Sequence, residues 1–108
     1  MRKFAHIINP VKVPETSDLF TAQPITFETM RMAKEMAAGQ VEVEQFTTQY
    51  PEDHEIIPAY FQKLDDLQQS VVDVAQFSKQ RKIPLIKDIM DKLYENSDAE
   101  YLIFTNAD

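Results

Sequence analysis

The chain has no cysteine and a single glycine in its 108 residues. Without a thiol there is no disulfide framework, no thiolate zinc site and no cysteine nucleophile, a composition that fits a reducing cytoplasm, where the protein is expected to reside. One glycine, Gly39, cannot furnish a Walker phosphate loop or a dinucleotide-binding fingerprint, because both need several glycines where backbone approaches phosphate. ATPase and Rossmann-dehydrogenase activities are excluded on that ground. Positive charge is also scarce: 11 Lys and Arg against 18 Asp and Glu leave a net −7. This balance opposes the counterion release that drives nucleic-acid binding, and the one basic cluster is Lys-Gln-Arg-Lys at residues 79–82. No nucleic-acid partner is expected. Long apolar runs are missing too, none approaching the roughly 18 residues of a membrane span. The basic start Met1, Arg2, Lys3 lacks the apolar stretch and cleavage site of a secretory signal.

What is present is a globular composition. A 44% hydrophobic content with seven Phe and four Tyr exceeds what a disordered chain carries. At this length one domain, residues 1–108, is expected, burying roughly 60–70% of the surface its unfolded chain would expose.

In residues 3–9, Phe4, Ala5, Ile7 and Ile8 form a near-continuous apolar run stopped by Asn9-Pro10, which predicts a strand covered on both faces. Residues 10–23, with Pro10 and Pro14 among polar side chains, read as a long loop. Pro24 suits the first turn of a helix, with Thr26 as a competing cap. Phe27, Met30, Ala33 or Lys34, and Ala37 follow at helical spacing until Gly39, read as the left-handed terminator. Met32 and Met36 form a companion stripe, read as core filling rather than a cofactor box.

Residues 41–48 alternate, Val41, Val43 and Gln45 against Glu42, Glu44 and Phe46, as a strand with one face at least partly wet. Residues 50–61, with Pro51, Pro58 and the run Glu52-Asp53-His54-Glu55, read as an ordered surface loop. Further on, Leu64, Leu67, Val71, Val74 and Ser78 fall at spacings of three and four, favouring a helix with Asp65 and Asp66 in its first turn. Val71, Val72 and Val74 leave a short strand as the alternative.

Pro84 opens a helix whose apolar stripe is Leu85, Ile86, Ile89, Met90, Leu93 and Tyr94, with Lys87, Asp88, Asp91 and Lys92 outward. Asn96-Ser97-Asp98 stops it, and Tyr101, Leu102, Ile103 and Phe104 read as a buried strand. Strands alternating with helices predict an α/β fold: a mostly parallel sheet with flanking helices in a three-layer arrangement.

Residues 84–108, a helix carrying Leu-Tyr-Glu followed by Asp-Ala-Glu-Tyr-Leu-Ile-Phe-Thr-Asn-Ala-Asp, resemble the centre of nucleotide-sugar glycosyltransferases of the GT-A type. In that family a helix and a buried strand deliver a short acidic motif, Asp-x-Asp or a variant, to the carboxyl edge of the sheet. The match covers about the last quarter of the chain. The opening strand with its Asn9-Pro10 exit is similar to the family's first nucleotide-contacting segment. The resemblance implies a Rossmann-like or GT-A-like half, a nucleotide-sugar ligand, and Mg²⁺ or Mn²⁺ to neutralise the diphosphate. It makes Asp108 the metal ligand and gives Asn106, standing where the family has its first Asp, a contact to ribose or a metal-bound water. Asn9 falls at the same rim, and Arg81 or Lys82 would reach phosphate. Asn in place of Asp removes a charge, so weaker metal binding is expected. A full enzyme of this kind needs a further half for acceptor binding. The chain therefore reads as the truncated N-terminal portion of such a protein, not expected to transfer sugar alone.

These residues also have plainer readings: Asp108 as a solvated terminus, Asn106 as a turn residue, His6 as a packed core histidine, His54 as part of a solvated acidic loop. The alternative function is a non-catalytic α/β interaction or regulatory domain. Under either reading, a sheet that stops at its own central strand leaves an open edge, which invites a homodimer.

Overall fold

The computed structural model describes residues 2–67 and 86–107. Four strands and two α-helices organise them: β1 (Arg2–Ile8), α1 (Leu19–Ala37), β2 (Val41–Thr47), β3 (Gln62–Lys63), α2 (Ile86–Asn96) and β4 (Tyr101–Thr105), with a 3₁₀ helix, Pro51–Ile56, between β2 and β3. The strands form one all-parallel sheet in the order β3-β2-β1-β4. The expected α/β architecture is present. Among the described residues no helix is long and apolar enough to cross a membrane.

β1 is central because both its faces are apolar. Ala5 and Ile7 on one face join Phe46 of β2 and the fully buried Ile89 and Leu93 of α2. Ile8, on the other, packs with Phe27 and Met30 of α1 and with Ile57 and Phe61. Each fully buried aliphatic side chain of this kind contributes about 1.5–3 kcal/mol. The two helices thus cover opposite faces. The chain moves from β1 leftward to β2 and β3, then returns across β1 to β4, so the strand order reverses between β1 and β4.

α1 starts at Leu19, well before the proline that was expected to open it, and Pro24 lies inside the helix. The upstream turn is held by Gln23, whose buried amide donates to the Val11 carbonyl (2.7 Å) and accepts from the Val11 N–H (2.8 Å). That paired contact offsets the backbone bond Pro24 cannot donate. The loop after β1 is correspondingly shorter than its composition suggested. Gly39 does terminate α1, with φ +91°. Met32 and Met36 are not core filling: they are 50% and 80% exposed.

Four further expectations are corrected. Residues 50–61 lie at the surface through Pro51, Glu52, Glu55, Ala59 and Tyr60, but they are built on a 3₁₀ helix and anchored by the buried Tyr50, Asp53, Ile57 and Phe61 rather than forming a simple loop. Residues 64–67 are not the first turn of a helix but an extended strap, the Leu64 N–H donating to the Thr47 carbonyl (2.8 Å) and the Leu67 N–H to that of Gln49 (2.7 Å). Backbone pairing along β2 wins there over the helical spacing of Leu64 and Leu67, while the continuation through Val71, Val74 and Ser78 lies outside the described residues. β4 is not buried. Among the described residues it pairs with β1 alone, and Tyr101 and Ile103 are exposed and Leu102 and Phe104 half-buried. The stripe on α2 is narrower than expected as well, with Ile86 and Tyr94 in solvent; Pro84 and Leu85 lie outside the described residues.

Candidate site at the carboxyl rim of the sheet

All four strands point the same way, so the residues that follow them gather at one rim. Asn9 follows β1 and Asn106 follows β4, and because Ile8 and Thr105 are register partners, the two asparagines occupy neighbouring positions beyond the strand ends. Asn106 is exposed. Asn9 is buried, its Nδ2 donating to the Thr48 carbonyl at 2.8 Å, which ties the exit of β1 to that of β2. Arg81, Lys82 and Asp108 lie outside the described residues. The structure therefore brings Asn9 and Asn106 together.

The loop leaving β1 is fixed from two sides. Besides the Gln23 clamp on Val11, the buried Asp53 carboxylate accepts the Lys12 N–H at 2.8 Å, and the Lys12 ammonium pairs with Glu55. The sequence assigns Gln23 no role and puts Asp53 in a surface acidic run, since polar residues in polar surroundings carry no signal that they will be buried.

A second polar network stands beside β2. Gln49, fully buried, accepts from the Thr47 hydroxyl (2.8 Å) and donates to the Leu64 carbonyl (3.0 Å) and to Asp66 Oδ1 (2.8 Å). His54 Nε2 lies 2.5 Å from the same Asp66 oxygen. The Gln49 hydrogen bond, with His54 adding to it, holds the Asp66 carboxyl below the usual aspartate value. His54 is thus paired with a carboxylate while its side chain stays 44% exposed, and Asp66 anchors the strap rather than starting a helix.

Just below the rim, between β1 and β4, His6 Nε2 and Thr105 Oγ1 are 2.6 Å apart. Burial pushes the His6 imidazole below its ordinary value, so it is neutral near pH 7. This matches the packed-histidine reading. Among the described residues no three His, Asp or Glu side chains are grouped so as to hold a metal ion. No protein-family model, curated protein or solved structure matches the chain.

Proposed function

We propose that the chain binds a nucleotide-sugar at the crevice outside β1 and β4, as the binding half of a glycosyltransferase-like protein of GT-A type. One observation carries this reading. The strand order reverses between β1 and β4, and open α/β sheets take their ligands outside the carboxyl ends of the strands at such a reversal. Asn9, on a β1 exit loop held by Gln23 and Asp53, and Asn106, just after β4, follow the two strands that border that crevice.

The donor set suits a hard cation. The exposed amide of Asn106 and the carboxylate of Asp108, two positions on, would supply oxygen ligands to Mg²⁺ or Mn²⁺, which would neutralise the diphosphate. With one charge between them, they would hold it weakly. Asp53 and Asp66 are committed to Lys12 and to Gln49 with His54 and are not part of this set. Binding, not transfer, is the activity assigned to these residues.

The test is an amide correlation spectrum of the labelled chain titrated with Mn²⁺ and then with UDP or GDP. Selective broadening of residues 105–108 and Asn9, with nucleotide shifting the same set, is expected. Broadening confined to the acidic segment around Asp53, or none, sinks the reading. A second reading, a non-catalytic interaction domain, draws on the commitment of the Asn9 amide to Thr48 and on the exposed apolar side chains of β4.

A further inference from the structure

We propose that two copies of the chain join through the outer edge of β4 and the adjoining flank of α2, making one continuous sheet with four strands from each copy. Among the described residues β4 pairs on one side only, at the end of the sheet. Its sequence, Tyr-Leu-Ile-Phe-Thr, contains neither the charge nor the proline that blunts an edge.

The free backbone groups of that edge can be assigned. The Ile8 carbonyl accepts the Thr48 N–H and so points to β2. Alternation along β1 turns residues 3, 5 and 7 toward β4, and the Lys3 carbonyl accepts the Glu100 N–H accordingly. In a parallel ladder these groups bond to the partners of the intervening positions, which are Tyr101, Ile103 and Thr105. The N–H and C=O of Leu102 and Phe104 therefore point away from β1.

An antiparallel second copy centred on Ile103 sets Leu102 against the second copy's Phe104 and Phe104 against its Leu102. This register pairs every one of those outward groups, and Ile103 meets its own copy as a close, non-hydrogen-bonded pair. Tyr101 and Ile103, 44% and 37% exposed, then gain cross-strand neighbours.

α2 complements itself about the same axis. Ile89 and Leu93 face the sheet, while Ile86, Met90 and Tyr94, at i, i+4 and i+8, form a stripe farther round the helix. Ile86 and Tyr94 are 62% and 77% exposed. Parallel crossovers are right-handed in nearly all folds, and for a helix entering β4 that way this stripe lies on the side of the free edge. Joining the strands sets the two helices antiparallel and side by side, with Met90 near the two-fold and Ile86 beside the second copy's Tyr94. Edge and stripe both match themselves under one rotation, which selects a second copy over an unrelated strand. A stable interface buries on the order of 1,000 Å² or more. One short ladder does not reach that, so both features are required.

The experiment combines sedimentation velocity with residue-resolved amide exchange on the 108-residue chain. A species of twice 12.5 kDa is expected, with Leu102 and Phe104 amides protected alongside Tyr101, Ile103 and Thr105. Ile103→Lys and, separately, Tyr94→Glu should give monomers of unchanged circular dichroism in which only Leu102 and Phe104 lose protection within β4. Met36→Glu, on the exposed side of α1, should remain dimeric. Monomer at every concentration overturns the proposal, whether those two amides exchange freely or are covered by another part of the same chain. So does a dimer that survives both substitutions, or one that Met36→Glu abolishes.

Discussion

Replacing Gln23 with Met keeps the length of the side chain and removes its amide. Gln23 is 4% exposed and holds both backbone groups of Val11. The variant loses two hydrogen bonds and leaves a half-buried N–H and C=O to find other partners. An unpaired buried backbone group costs about 1–3 kcal/mol; with Val11 only half-buried, the lower part of that range applies to each group, about 2–3 kcal/mol in all. Thioether packing recovers little, since the pocket is shaped by polar partners. For a domain of this size 1 kcal/mol moves the melting temperature by about 4–8 °C, so a fall of roughly 10–20 °C is expected. The assay is urea and thermal unfolding followed by circular dichroism, with the urea slope unchanged and the midpoint lowered. A loss under about 0.5 kcal/mol would refute the reasoning, because it would mean that water replaces the Gln23 amide at no cost and that the clamp does not fix the β1 exit loop.

Other outcomes follow from the same geometry. Leu93→Ala empties a fully buried position between α2 and the sheet and should cost about 2–5 kcal/mol in urea unfolding. Gly39→Ala meets no atom within 4 Å, so its cost of about 1 kcal/mol comes from backbone strain at φ +91° alone and should appear without any change in the core resonances. The folded-state value of Asp66 is depressed, so its contribution to stability is present above about pH 4 and is lost as pH falls further through the folded value; Asp66→Asn should flatten the urea-midpoint profile there. His6 is depressed too, and for a histidine this means that the unfolded chain takes up protons first: stability is full above about pH 6.5 and declines below it. His6→Gln should remove that upper limb and leave the acidic one.

The sequence was most informative where a single force acts. Both faces of β1 are apolar, and Gly39 supplies a backbone conformation that other residues resist, so the first strand and the end of α1 were legible. The same holds for Ile89 and Leu93, whose spacing alone turns them to the sheet. It was least informative where polar side chains do structural work. The helix begins before Pro24 because Gln23 grips Val11, and residues 64–67 run straight because Gln49 and Asp66 fasten them to β2. Such contacts join distant residues, Lys12 and Asp53 being 41 positions apart, and leave no local period to read. At the rim, the neighbourhood of Asn9 and Asn106 followed from parallel strands, but burial of the Asn9 amide against Thr48 did not.

The position of β1 between β2 and β4 has a consequence for how the chain folds. Its β2 partner arrives soon, since Arg2 aligns with Val41, but Phe4 aligns with Tyr101, 97 positions later. During synthesis the most apolar strand must therefore wait, with its β4 flank unpaired, until a strand 97 positions later has been made, and closing so long a loop is slow. In that interval the exposed flank of β1 is the segment on which a holding chaperone, or an aggregating neighbour, would act first.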